Sequence, residues 1–431
     1  WTRGAAVLAL LLGAAGVWWS EGIGTGADPS GSAAAPRADA ARTALPTVTI
    51  RQFDVLGDDD PRAGLLAQGM TADLMTDLSK VSGLSVIVAA PMGTGAGERP
   101  IDAPSIRYVV SGTVQRIDER LRLHVHLTDA ESGKQLWSER FDRPLSSFFE
   151  IQEELGTRIL QMLPAKVSEA ELRRVAHRYT GSLEAYEALQ RGQAALLVRQ
   201  RPENEAARAM FLHAISLDAG FARAYAGLAL TYAADYRNQW TGDGPAPLER
   251  AFELARTAYQ IDPDTAETLW VLAFVHLERR EHEQALRYLE TALRLYPSFA
   301  DAYALMGGVQ TYVGRPAKTI PLLRTAIRLD PQASYLYFLL LGRAYLFLGD
   351  IEQARVNLEQ ALARNPANLE SHVYMAALHV LAGDRGAAVW EAEEIRALRP
   401  GFSIRGWLDT NPLTDAVLKA KLVQALVGLG F

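Results

Sequence analysis

AETLWVLAFVHLERREHEQALRYLETALRLYP (266–297) is the stretch whose reading decides the fold. It is two amphipathic helical runs separated by a charged break at 278–282, and it ends on proline. The same pattern recurs on both sides. Pro263, Pro297, Pro331, Pro366 and Pro400 stand 34, 34, 35 and 34 residues apart, closing YQIDP, LRLYP, IRLDP, LARNP and RALRP. Proline just past a helix ends it. A fixed period of this length means one two-helix unit, repeated and stacked. Two helices approach closely only over small side chains. Ala229, Ala273, Gly307, Gly342 and Ala376 supply these at the eighth position of each first helix. Ala251, Ala285, Ala354 and Ala388 supply them in the second helix, with Thr319 as a substitute. Ala258, Ala292, Ala326 and Ala361 do so seven residues later, where Ile395 departs.

These features identify tetratricopeptide repeats, whose period is 34 residues. An earlier, degenerate copy covers about 183–219, with Gly192, Ala207, Phe211 and Ala214 but Ala219 in place of the proline. The next copy carries an insertion of about ten residues, RNQWTGDGPAP (237–247). Six helical hairpins are therefore expected over 183–400, followed in 401–431 by an apolar helix that caps the solenoid. Such a stack leaves a concave wall, formed by positions 2, 5, 9 and 12 of each first helix. Those positions include Leu230, Trp270, Phe274, Leu277, Leu336, Leu339, Arg343, Leu346 and Val373. Trp270, Phe274, Leu277, Leu336, Leu339 and Arg343 are the candidate groove residues. The wall reads as apolar, with Arg343 an isolated cation. It lacks the Lys, Arg and Asn cluster with which some repeats hold a C-terminal carboxylate. The expected partner is a hydrophobic or amphipathic protein or peptide.

Upstream, the pattern changes. TVTIRQF from Thr47 alternates like a strand, 65–78 has helical spacing, and LSVIVAA (84–90) reads as a buried strand. RYVVSGTVQRID, LRLHVHLTDA and KQLWSERFDR follow as three antiparallel strands, and 146–163 as a helix. The order predicts a small mixed sheet with helices packed on it, over 47–165. FDVLGDDD, GMTADLMTDLSKVSGLSVI and RYVVSGTVQRIDERLRLHVHLTDAESGKQLWSERFDR resemble the TolB amino-terminal-like module. That module precedes tetratricopeptide repeats in bacterial envelope and signalling proteins. Between Ala90 and Ser105 this chain is shorter than the family, which has a second helix there. The fold class expected is α+β, multi-domain and mostly α.

Residues 4–19, GAAVLALLLGAAGVWW, carry no charge. As a helix they span about 24 Å, against a hydrocarbon core of about 30 Å. They read as a transmembrane helix or signal anchor (1–20), with Trp18 and Trp19 at an interface and Arg3 on the cytoplasmic side. A cleaved secretory signal and a buried helix are the alternatives. Residues 21–46, rich in Gly, Ala, Ser and Pro, read as a flexible linker. The expected location is the bacterial cytoplasmic membrane, single-pass, with 21–431 on the periplasmic side.

The chain has 431 residues, a net charge of −6 and no cysteine. That removes thiol catalysis and disulfides, and mild acidity argues against nucleic acid as the main partner. Only 6 of the 44 basic residues are lysine, and residue 1 is tryptophan, which suggests sequence upstream. No nucleophile elbow, zincin helix or P-loop occurs. Gly93, Gly95 and Gly97 are followed by prolines and not by a helix, so they read as a loop. His124 and His126 share one strand face without a third ligand in view, and Asp58, Asp59 and Asp60 read as a turn with a capping carboxylate. No catalytic residue, cofactor or metal is expected. The combination of modules resembles the C-terminal half of bacterial signalling proteins whose output domain is a nucleotide cyclase or a winged helix. A membrane-tethered interaction module with a sensory role is the first reading. A non-signalling envelope scaffold, possible as a homo-oligomer, is the second.

Overall fold

The protein is described by a computed structural model over residues 45–57, 60–88, 106–165, 167–177, 179–242 and 244–431. The apolar run 4–19, nearly all of the linker, Asp58, Asp59 and the glycine run 93–97 lie outside these residues. Among the described residues no helix is long and apolar enough to cross a membrane.

The first unit is a mixed sheet with helices packed on it. Its strands are β1 (Thr47–Ile50), β2 (Asp54–Val55), β3 (Ser85–Val88), β4 (Tyr108–Ile117), β5 (Arg120–Asp129) and β6 (Gln135–Pro144). The order is β3-β1-β4-β5-β6, with β2 pairing β4. β1 is parallel to β3 and β4, while β4, β5 and β6 form an antiparallel meander. Alternation does the sorting. Val110, Val114, Leu121, Leu123, Val125 and Leu127 are buried on one face. α1 (Pro61–Leu78) and α2 (Phe148–Met162) cover that face, and α3 (Glu169–Val175) follows. The other face carries His124 and His126, half-buried, opposite Thr113 and Ser111. No third metal ligand joins them among the described residues. Asp60 caps α1, accepting hydrogen bonds from the amides of Arg62 (3.0 Å) and Ala63 (3.1 Å).

Six helical hairpins follow. They are α4 (Leu183–Leu196) with α5 (Arg201–Leu217), α6 (Ala222–Asn238) with α7 (Ala246–Ile261), and α8 (Ala266–Glu278) with α9 (His282–Leu295). Then come α10 (Ala300–Tyr312) with α11 (Pro316–Leu329), α12 (Tyr335–Leu348) with α13 (Ile351–Arg364), and α14 (Leu369–Ala382) with α15 (Arg385–Leu398). The small residues of the periodic pattern lie between the helices. A Cβ on Gly342 would stand 2.6 Å from Leu358 Cγ, so the helices touch there only because glycine has none. Thr319 has a chemical role: its hydroxyl donates to the Gly307 carbonyl at 2.7 Å. Ile395 is fully buried in the last hairpin.

The sheet unit is docked onto the solenoid. Arg223 of α6, with a side chain only 2% exposed, pairs with Asp73 of α1 (2.7 Å) and Glu267 of α8 (2.9 Å). Asp73 also accepts from the Tyr186 hydroxyl of α4 (2.6 Å) and from Gln152 of α2 (3.2 Å). At the far edge, the Val86 amide donates to the Ser298 hydroxyl (3.1 Å).

The chain ends in α16 (Ile404–Thr410) and α17 (Ala416–Val427). α17 packs on α14, burying Leu418, Leu422, Ala425 and Leu426. The segment between the two helices runs back over the turns of earlier repeats, which the sequence pattern did not foretell.

Candidate partner-binding wall

The first helices of the hairpins line the inner wall, and the candidate residues sit on it. Trp270 and Phe274 stack at 5.4 Å with ring planes 9° apart. The indole N–H of Trp270 donates to the Asp301 carbonyl at 3.1 Å. Trp270, Leu277, Leu339 and Arg343 are buried, while Phe274 and Leu336 are half-buried. Trp270→Ala should therefore cost about 3–5 kcal/mol of stability, measured by urea unfolding, so it cannot serve as a clean probe of binding. Half-buried Phe274 and Leu336 are the candidates that can be truncated with less risk to the fold.

Arg343 is not the isolated cation that the sequence suggested. Its guanidinium meets Glu370 at 3.3 Å and lies 3.9 Å over the Tyr312 ring. Glu370 is shared with Arg237 (3.1 Å), which also holds Glu278 (3.2 Å). The chain Glu278–Arg237–Glu370–Arg343 thus joins hairpins three, two, six and five. Burial works against the Arg237 charge, yet its guanidinium stays firmly protonated because Glu278, Tyr312 and Glu370 surround it. Burial raises the Glu278 carboxyl, with Arg237 pulling the other way.

A second polar cluster lies at the N-terminal ends of α10 and α12. The Tyr337 hydroxyl donates to Asp301 at 2.6 Å. Burial pushes the Asp301 carboxyl up to about 8 and that of Asp330 up to about 6. Arg199, in the turn after α4, donates to the Tyr335 hydroxyl, as does Asn368 at 3.3 Å. Farther along, Arg399 donates to Gln239. Hairpin one therefore touches hairpin five, and hairpin two touches hairpin six. The solenoid closes on itself, and its own side chains fill the wall.

The wall is also less apolar than its candidate residues imply. Position 2 of the first helices holds Arg223, Glu267, Asp301 and Glu370, each in an ion pair or hydrogen bond described above. The signal was available: four charged residues at one position of a buried face are unusual unless paired.

A repeated helical hairpin with small residues at its crossing points is the architecture of the tetratricopeptide repeat. Models of this repeat match residues 248–308 and 336–368. A curated relative, "Putative adenylate cyclase 3" of Rhizobium meliloti (strain 1021), is 34% identical over 249 residues. The match takes in 56% of this chain and 42% of the relative, so the chain spans less than half of that protein's length. Among solved structures, pilF of Pseudomonas aeruginosa is 22% identical with a TM-score of 0.37, covering 51% of this chain and 95% of that one. A thermophilic tetratricopeptide protein of Thermus thermophilus is 20% identical with a TM-score of 0.35, covering 46% and 99%.

Proposed function

We propose that this chain is the interaction-bearing half of a membrane-tethered bacterial signalling protein of the nucleotide-cyclase type. The observation that carries this reading is the 34% identity to the protein named "Putative adenylate cyclase 3". The repeats supply the protein- or peptide-binding part. In this reading 47–165 is a TolB amino-terminal-like module, 4–19 anchors the chain, and 21–431 faces the periplasm. Catalysis belongs to a domain outside these 431 residues, and binding at the repeats is the input. The docking of the sheet unit through buried Arg223 supports a rigid body that can pass a change at the repeats toward the membrane.

The test is the reading frame 5′ of the codon for Trp1. A nucleotide cyclase domain encoded in frame is the expected result, and a start codon only a few residues upstream contradicts it. Alkaline phosphatase fused after Phe431 reports the side of the membrane. It should be active, and should lose activity when 4–19 is deleted.

A further inference from the structure

In each of the six hairpins the first helix is followed by a residue with positive φ. In hairpins four to six it is glycine: Gly314 (+77°), Gly349 (+84°) and Gly383 (+79°). In hairpins one to three it is Arg199 (+57°), Gln239 (+56°) and Arg280 (+62°). A side chain is disfavoured there because Cβ crowds the backbone. Such strain persists where the surrounding structure over-determines it. All three side chains reach the far half of the molecule. Arg199 and Gln239 meet side chains. Arg280 meets only backbone: its Nη2 donates to the carbonyls of Leu408 (3.1 Å), Asp409 (2.7 Å) and Asn411 (3.3 Å).

The neighbouring groups extend this pattern. His282, itself 7% exposed, places Nε2 2.9 Å from the Pro412 carbonyl, which can only accept, so the ring donates. The Tyr312 carbonyl accepts from the amides of Thr414 (3.0 Å) and Asp415 (3.3 Å) and from the Thr414 hydroxyl (3.2 Å). The Arg237 carbonyl accepts from the Thr410 hydroxyl at 3.4 Å. The segment 408–415 is thus held largely through its main chain. Two apolar side chains six residues apart anchor it. Leu413 is fully buried, and Trp407, at 6% exposure, packs edge-on to Tyr374 of α14 at 6.1 Å. Asn411 turns the segment by accepting from the Leu413 amide (3.0 Å), just before Pro412. Its own Nδ2 is buried without a hydrogen-bond acceptor, so the fit of this segment is incomplete.

We infer that the C-terminal ends of α6, α8 and α10, with Tyr374 of α14, form a peptide-docking surface, and that 404–415 is a strap occupying it in cis. Its partner in trans is a protein segment of the same chemistry: a short helix bearing a bulky aromatic anchor, then an Asx-Pro turn, then a branched apolar anchor. That segment displaces the strap. Main-chain hydrogen bonds give a docked segment affinity, and the side chains it buries give specificity. The inference rests on the repeats being a protein-binding module and is independent of the cyclase assignment.

The full chain tests it. The probe is a fluorescein-labelled peptide of residues 404–418, read by anisotropy. Leu413→Asp removes the buried anchor and leaves Arg280, His282 and Tyr312 in place. Hydrogen exchange at 404–415 should accelerate at least tenfold while α8 to α13 keep their protection. The probe should bind this variant at least tenfold more tightly than wild type, and adding Arg280→Gly should abolish that gain. Equal binding to wild type and L413D, or unchanged exchange in the strap of L413D, overturns the inference. If L413D fails to fold by circular dichroism, Arg280→Gly alone decides. It relieves the turn and must still free the strap; wild-type exchange at 404–415 in R280G overturns the inference. None of these failures alters what the upstream reading frame encodes.

Discussion

Arg223→Met should destabilise the protein by about 3–5 kcal/mol, the cost of leaving a buried ion pair without one partner. The expectation follows from how completely the guanidinium is enclosed. It has a 2% exposed side chain, with Asp73 and Glu267 on two sides and the Tyr179 ring 4.8 Å away. Methionine fills much of the volume but strands two carboxylates. Burial alone would lower the pKa of Arg223, and Asp73 and Glu267 reverse this, so the group is held well above its ordinary value. Urea unfolding gives the loss. Hydrogen exchange should place it at the junction of α1, α4, α6 and α8, with the last two hairpins spared. A variant within about 0.5 kcal/mol of wild type, the range of ordinary surface substitutions, would mean that the sheet unit and the solenoid are not joined through this residue.

The stability of the wild-type chain should fall between about pH 4 and 8, and Asp301→Asn should remove most of that fall. Burial lifts the Asp301 carboxyl to about 8, from an ordinary value of 3.8, and Asp330 adds to the rise while Tyr337 and Arg199 oppose it. Between those values the unfolded chain has lost this proton and the folded chain retains it. Stability is therefore complete in acid and falls as pH rises, by up to about 1.4 kcal/mol per pH unit from this one group. Asp330, lifted to about 6 by burial, adds a further decline between about pH 4 and 6. Asparagine keeps an acceptor for the Tyr337 hydroxyl and cannot ionise. Melting temperatures from pH 5 to 8.5 should fall steeply in wild type and gently in the variant. The variant should be the more stable protein at pH 8.5. Parallel curves would show that Asp301 is ionised throughout.

The local geometry was legible in the sequence because it is periodic. The eighth-position residues Ala229, Ala273, Gly307, Gly342 and Ala376 are all buried where the pattern put them. The strands 108–117, 120–129 and 135–144 follow the alternation and the Ser132-Gly133 turn signal. The closure of the solenoid was not legible. Contacts such as Arg199 with Tyr335 or Arg237 with Glu370 join hairpins four apart. They depend on the pitch of the superhelix, which accumulates from small rotations that no 34-residue period encodes. For the same reason Arg343 looked solitary: Glu370 is its neighbour only once the next hairpin is stacked. The strap was not legible either: 401–431 read only as a capping helix, and nothing in the sequence placed Asn411-Pro412 against Arg280.

Closure is the claim on which the filled wall and the strap both depend, and the absence of cysteine makes it directly measurable. Asn238 and Leu398 are exposed neighbours of the Gln239–Arg399 contact. Spin labels at Asn238→Cys and Leu398→Cys, read by pulsed dipolar spectroscopy on the full chain, should give one narrow, short distance. A broad distribution at long distance, as an open superhelix would produce, would contradict the account.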